Sequence, residues 1–363
     1  MKIASIAYAL PSKKVTNDMV IRDILRHHQW KAAFMFAKGM VASRLRQGFV
    51  RAGTLIRYHR NQGERAIDLT LKAGTEALRK AGIAPEQIDL LIYTGVGRAW
   101  LEPAMANLFQ SELGLTNATC FDVTDACASW LRSLFIAKSF VDQGTYKTVM
   151  IINSEFMCLE ACVEPRLRRL EDLYLRFAGY TVGEVAVATI VTAGGDPNNF
   201  YFSFKNWSNT YHLCQIPMPN AHEYIPSRAL VAVGASGKPA NGHNIQYQTM
   251  ALNTLAKDLL FTVVEKLTEH YKSDPALSRE PHDIIFCHDV SDVSTQMGIA
   301  HMGPEYASRV FRTHARFGNT VSASIPLGIA LALEEGKLKP GMSTLIVCGA
   351  SGVTTGFCKF RYE

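Results

Sequence analysis

The apolar positions of this chain change period many times, and each change marks an element. Met1 to Leu10 is an apolar run that stops at Pro11 and Ser12-Lys13-Lys14, which predicts a first strand. Residues 17–62 are helical in character. Ala66, Leu69, Ala73 and Ala77 recur at spacings of three and four, with Leu78 beside them, so 63–83 is predicted as an amphipathic helix ended by Ala81-Gly82. Ile88–Thr94 reads as a buried strand, Gly95-Val-Gly97 as a turn, and 103–114 as a helix closed by glycine. Phe121-Asp-Val precedes a helix on which Trp130, Leu131, Leu134 and Phe135 share a face. Strands follow at 146–153 and 184–192, and Asp196-Pro-Asn-Asn199 breaks the pattern. Residues 200–245, with four prolines, are predicted irregular or edge structure. Then come a helix at 247–271, a strand at 283–288, helices through 316 and over 322–335, and strands at 343–348 and 356–361. Near-continuous apolar strands alternating with helices predict an α/β chain whose sheets are covered on both faces. The second half repeats the alternation of the first, so two halves are expected, 1–195 and 196–363, with a helical insertion at about 17–62.

Length and composition agree with this layout. A chain of 363 residues, 48% apolar and 19% charged, exceeds one ordinary core and is not disordered. No run reaches the 18 or so apolar residues of a membrane helix. The eight cysteines are scattered, none in a paired zinc spacing, and several lie in strand-like runs. That pattern suits reduced thiols, a cytoplasmic location and no metal. The net charge of +6 matters mainly for where the basic residues lie. Arg44, Arg51 and seven others in 17–62 are interleaved with Trp30, Phe34, Met35, Phe36, Met40 and Phe49. One reading is a solvated hairpin with an apolar inner face. The other is an entrance that holds a phosphorylated carrier by charge and an acyl chain by its Met and Phe side chains. Alternation with large apolar residues argues against nucleic acid.

The candidate chemistry lies at strand ends. Cys127 falls where a strand turns into a helix, and a helix N-terminus favours the thiolate, the nucleophilic form. Taken alone, it could equally be a buried structural thiol. Phe286-Cys-His288 places a histidine just past an apolar strand, where α/β sheets put their sites. Phe317-Gly-Asn319-Thr-Val-Ser-Ala-Ser supplies an asparagine in a similar place. Together, Cys, His and Asn can do thioester chemistry: the cysteine takes an acyl group, while the other two stabilise an enolate at a thioester carbonyl. Gly349-Ala-Ser-Gly352 is either a plain loop or a backbone close enough to donate an N–H to an oxyanion.

These segments resemble the ketoacyl synthase III branch of the thiolase-like condensing enzymes over nearly the whole chain. Asp122–Trp130, Arg316–Gly328 with its Gly-Asn-Thr and Ala-Ser-Ile-Pro, Glu335–Gly341 and Gly349–Gly356 carry the likeness. The resemblance implies a duplicated five-layered αβαβα fold and a homodimer. It also implies acyl-CoA or acyl-carrier-protein thioesters as substrates, with no cofactor. It makes Cys127 the nucleophile, His288 and Asn319 the pair binding the second thioester, and the N–H groups of Cys127 and Gly352 the oxyanion hole. Arg98-Ala-Trp-Leu-Glu102-Pro103 and His288-Asp-Val-Ser291 are similar to the OleA type, which joins two fatty-acyl thioesters. There Glu102 would be a base reaching across the dimer; otherwise it is a helix-start carboxylate.

Four departures from the family pattern stand out. Trp130 replaces the usual Phe and is expected to reshape the substrate wall near the nucleophile. Asp289 and Asp292 are expected to put negative charge on the carrier-docking face. Gly179–Ala186 stands where the family has a Gly-Asp-Gly-Ala-Gly-Ala run, and the 17–62 region is long. A specialised condensing enzyme of lipid or polyketide biosynthesis is therefore expected. The alternatives are an acyltransferase to a hydroxyl or amine, with His288 as base, and an idle partner subunit. The complete Cys-His-Asn set argues against the last.

Overall fold

A computed structural model describes residues 1–27, 35–157, 167, 172–224, 250–278 and 281–363. Trp30, Lys31, Phe34, Cys158, Cys162, Pro226 and Pro239, with the side chains of Met35 and Phe36, lie outside the described residues.

The first half begins with β1 (Lys2–Ala9), β2 (Lys13–Thr16), α1 (Asn17–His27), α2 (Met35–Ala52) and β3 (Ile56–His59). It continues with α3 (Ala66–Ala81), β4 (Leu90–Thr94), α4 (Ala106–Glu112), β5 (Thr119–Val123), α5 (Ser129–Asp142), β6 (Thr148–Glu155), α6 (Asp172–Tyr180) and β7 (Val185–Thr192). The second half has β8 (Tyr201–Asn206), β9 (Cys214–Gln215), β10 (Asn253–Thr254), α7 (Ala256–Ser273) and β11 (Ile284–Cys287). After these come α8 (Asp292–Met302), β12 (Val310–Phe311), α9 (Ser324–Glu334), β13 (Ser343–Ala350) and β14 (Thr354–Arg361).

The two large sheets have one topology. The first runs β1-β7-β6-β4-β5 and the second β8-β14-β13-β11-β12. In each, the three strands at one end pair in parallel and the two at the other end pair antiparallel. The duplication reaches residue level at one place. After β5 the chain runs Asp125-Ala126-Cys127-Ala128-Ser129 into α5; after β12 it runs Thr320-Val321-Ser322-Ala323-Ser324 into α9. Ala126 (φ 45°) and Val321 (φ 52°) hold matching left-handed conformations, each opening a 3₁₀ turn before its helix. Cys127 and Ser322 are therefore equivalent positions.

The layers follow from burial. Trp130, Leu131 and Leu134 of α5 and Ile325, Leu327 and Ile329 of α9 pack between the two sheets in the largest core cluster. α3 and α4 cover the outer face of the first sheet through Ala73, Ala77 and Phe109. Tyr271 of α7 and Met302 of α8 cover the outer face of the second. This is the five-layered αβαβα arrangement. No described helix is long and apolar enough to cross a membrane.

At the start of 200–245 the edge alternative holds: β8 is an edge strand, and Phe202 and Phe204 on it stack in line with Phe200 just before it. Other expectations need correction. The 17–62 region ends in a strand, β3, paired with β2, and Arg57 on it is fully buried with Nη2 donating to Asn17 Oδ1 at 2.6 Å. Val20, Ile24, Leu45 and Phe49 of α1 and α2 pack on Leu173 and Tyr180 of α6. Phe49 is thus structural and not part of an acyl-binding surface.

Candidate active site

A cavity of about 910 Å³ brings Cys127, His288 and Asn319 onto one lining, although 161 and 31 residues separate them in sequence. Cys127 follows β5 and His288 follows β11, Asn319 lies on the loop between β12 and α9, and α5 and α9 bring the two sheet edges together.

Asn319 is held by its backbone. Its N–H donates to Thr181 O at 2.9 Å, and its O accepts from Gly183 N at 3.0 Å. A Cβ on Gly183 would lie 2.0 Å from Phe317 O, and one on Gly318 (φ 69°) 2.2 Å from Thr181 O, so glycine is needed on both sides of this contact. The 179–186 segment is thus a brace for Asn319. Asn319 Oδ1 accepts from Val321 N at 2.9 Å, which leaves the Nδ2 hydrogens as donors for the cavity.

His288 is fixed by its N–H, which donates to Val347 O at 3.0 Å, and by Nδ1, 2.7 Å from Ser324 Oγ. Burial lowers the imidazole pKa to about 4, with Asp289 opposing and His314 reinforcing the shift, so the ring is neutral at physiological pH. Neutral imidazole can take a proton in one tautomer or donate one in the other.

Cys127 lies in the 3₁₀ turn before α5, as expected, but its predicted acidity is reversed. Burial pushes the thiol well above its ordinary value, and Cys348, Cys214, Glu155 and Asp125 push it further. Desolvation of the anion outweighs the field of the helix end. At rest the cavity therefore holds a neutral thiol and a neutral imidazole. Iodoacetamide alkylation of Cys127 should accordingly keep accelerating as pH rises past 9; a rate that levels off below pH 8 would show a thiolate already formed.

The structure also contains a residue that the sequence reading passed over. Glu155, at the end of β6, is 2% exposed and lines the cavity. It accepts hydrogen bonds from Val96 N, Gly97 N, Ser322 N and Ser322 Oγ. It ties the turn after β4 to the Asn319 loop. Its one sequence signal is an acid closing an otherwise buried strand.

The remaining predicted residues separate. Arg44 and Arg51, exposed on α2, line the cavity mouth with Lys257 of α7. Trp130 does not reshape the substrate wall: it is fully buried between the sheets, with Nε1 donating to Thr189 Oγ1 at 3.1 Å, because its helix position faces β7. Gly349, Ala350 and Ser351 line the cavity, and Gly352 (φ 132°) adjoins them. Glu102 is exposed and outside the cavity of its own chain. Asp289 does not charge the docking face either. It is fully buried, bound by Arg312 Nε and Nη2 and by the N–H groups of Thr313 and His314. Burial raises its carboxyl pKa, but Arg312 and these N–H donors outweigh that and hold it below the ordinary value. Arg312 also takes Asp292 at 2.8 Å. Because the folded-state pKa is depressed, Asp289 contributes stability above the ordinary aspartate pKa, and that is lost as acid titrates the folded carboxyl. Asp289→Ala should cost about 3 kcal/mol by leaving the buried N–H groups of Thr313 and His314 without their acceptor, read as a lower urea midpoint; an unchanged midpoint would contradict it.

Comparison with known proteins gives a consistent answer. The profile of the 3-oxoacyl-[acyl-carrier-protein] synthase III family matches residues 121–209, and that of its C-terminal domain matches 275–362. A beta-ketoacyl-[acyl-carrier-protein] synthase III of Aliarcobacter butzleri is 26% identical over 86% of this chain and 88% of its own. One from Oceanobacillus iheyensis is 25% identical over 99% and 98%. Among solved structures, a cerulenin-bound OleA of Xanthomonas campestris superposes with a TM-score of 0.78 at 20% identity, covering 99% of this chain and 96% of its own. The 3-oxoacyl-[acyl-carrier-protein] synthase III of Aquifex aeolicus gives 0.73 at 21%, covering 99% of each. Matched in both of its halves, and carrying the doubled five-layered fold, the chain belongs to the ketoacyl synthase III-like condensing enzymes of the thiolase superfamily.

Proposed function

We propose that this protein condenses two acyl thioesters, one loaded on Cys127 and one held by His288 and Asn319. The observation that carries this reading is the convergence of these three side chains on one cavity. The hydroxyl of Ser324 also donates to Val321 O at 3.0 Å, so His288 carries its proton on Nδ1 and presents a bare Nε2. In that form it takes the Cys127 proton as sulfur attacks the first thioester. The acyl–sulfur bond to Cys127 forms, the donor's carbon–sulfur bond breaks, and the proton leaves on the released thiol. For the second step the ring gives its Nδ1 proton to water and takes one on Nε2, as the Ser324 hydroxyl turns from Val321 O to donate to Nδ1. Nε2–H and Asn319 Nδ2–H donate to the carbonyl oxygen of the second thioester and stabilise its enolate. The enolate carbon attacks the acyl carbon, the bond to Cys127 breaks, and the departing thiolate takes up the proton that the base removed from the α-carbon, or one from water where carbon dioxide was lost instead.

Claisen chemistry of this kind needs either a base for the α-proton or loss of carbon dioxide. Glu102 is assigned the base's role, serving the cavity of a second copy. The exposed Leu101 beside it and the edge strand β5 leave that face open for a homodimer. The acyl donor is a CoA or carrier-protein thioester, its phosphates met by Arg44, Arg51 and Lys257 at the mouth. The Arg44→Glu/Arg51→Glu double variant should raise KM for acyl-CoA about tenfold with little change in kcat, an effect that fades in high salt. Equal KM values would remove the mouth from the account.

The test of the reading is intact mass after incubation with a panel of acyl-CoAs and acyl-carrier proteins. An adduct of acyl mass that maps to Cys127 supports it. No adduct with any donor, on folded protein, moves an idle partner subunit to the front.

A further inference from the structure

The cavity does not stop at the catalytic residues. It continues beneath α7 and α8, along the outer face of the second sheet, where Ile285 and Cys287 of β11 and Val347 and Gly349 of β13 form its floor. Its lining follows α7 from Ala256 to Tyr271, which is about 22 Å at the rise of an α-helix. Along that length Leu260, Val264 and Leu267 face it from α7, and Val293, Ile299 and Met302 from α8. The charged side chains on the lining (Arg44, Arg51, Lys257 and Glu155) are at the mouth and the catalytic end. Past them the walls are almost wholly apolar.

Gly298 stands in the middle of α8, where glycine weakens a helix and no turn requires it. Its φ is not in the left-handed region, and a Cβ placed on it would meet nothing within 4 Å. Gly298 lines the cavity, so the space before it is the passage itself. A helix gains from alanine here, and no steric contact forbids it. What the glycine preserves is room.

We propose that the space under α7 and α8 is a compartment for a long, unbranched acyl chain, and that Gly298 sets the chain length admitted. The proposal rests on the thioester reading above and names its substrate class. A chain whose thioester carbon is at Cys127 or under His288 threads between α8 and the sheet, past Gly298, toward Met302 and Tyr271. Its hydrocarbon replaces empty apolar space, and each buried methylene adds to affinity.

The test measures binding of hexadecanoyl-CoA and butanoyl-CoA by calorimetry to Cys127→Ala protein, which cannot be acylated there, with and without Gly298→Leu. The expected result is that Gly298→Leu weakens hexadecanoyl-CoA about tenfold, the loss of roughly two buried methylenes, and leaves butanoyl-CoA within twofold. Gly298→Ala, which favours the helix, should shift the same preference in the same direction by less, and decides the matter if the leucine variant does not fold. Hexadecanoyl-CoA binding that is unchanged, or that falls in step with butanoyl-CoA in a protein of unaltered Tm, would overturn the proposal. If the selective loss is seen while wild-type protein loads no acyl group on Cys127, the compartment stands and the condensation reading fails.

Discussion

Cys127→Ala is expected to abolish acyl loading and to lower turnover by at least about 10⁴-fold, as removal of a covalent nucleophile does. The fold should survive. The side chain lines a cavity, and the Cys348 thiol bonds the Cys127 main-chain oxygen at 3.5 Å, so the residue's buried partner is backbone. The loss should therefore appear in kcat and in the mass of the protein after incubation with donor, with little change in Tm. Residual loading would mean a second acceptor. Cys214 and Cys287, thiols on the same cavity, are then the ones to map.

Asn319→Ala should separate the two half-reactions. In the proposed reaction the asparagine donates to the second thioester, not the first, so Cys127 should still load at close to the wild-type rate. Condensation should fall about 10²- to 10³-fold, the usual effect of deleting one donor from an oxyanion site. The conservative Asn319→Asp should fail similarly, since a carboxylate would face a developing negative charge. The measurement is paired: stopped loading followed by mass, and product formation after a second thioester is added. Parallel loss of both steps would place Asn319 in the first half-reaction and break the division of labour proposed here. His288→Ala should impair both, because the proposed reaction uses its imidazole for Cys127 in one tautomer and for the second carbonyl in the other.

Asn319 was legible from its Gly-Asn-Thr motif, whereas the other two candidate residues, Cys127 and His288, were legible because each follows an apolar strand. The sheets were legible for the same reason. β8 was legible only as irregular or edge structure, because alternation is hard to distinguish from irregularity in a short edge strand. β12 is two residues long and has no period at all. Trp130 was misplaced because an α-helix lying between two sheets buries most of its circumference, so its large residues pack in both directions. The misreading of Asp289 has a different cause. Its neutralising partner, Arg312, is 23 residues away and comes near only when β11 and β12 pair. The thiol's acidity depended on enclosure, which a helix N-terminus seen in isolation does not reveal. Glu155 and Ser324 belong to the same class: the role of Glu155 comes from contacts across the two halves with Ser322, and that of Ser324 from a contact with His288, 36 residues away. The residue-level repeat was hidden because Asp-Ala-Cys-Ala-Ser and Thr-Val-Ser-Ala-Ser share only the short Ala-Ser pair. Backbone conformation at Ala126 and Val321 keeps what the side chains have lost.

The most direct test of the central claim is to follow the labelled carbonyl of an acyl-CoA through one full turnover with a second thioester present. The account predicts a β-keto product in which the labelled carbon is bonded to the α-carbon of the second acyl group, absent with Cys127→Ala and strongly reduced with Asn319→Ala. Labelled acyl recovered only as ester, amide or free acid, from protein that loads Cys127 normally, would contradict it and assign the site to acyl transfer without carbon–carbon bond formation.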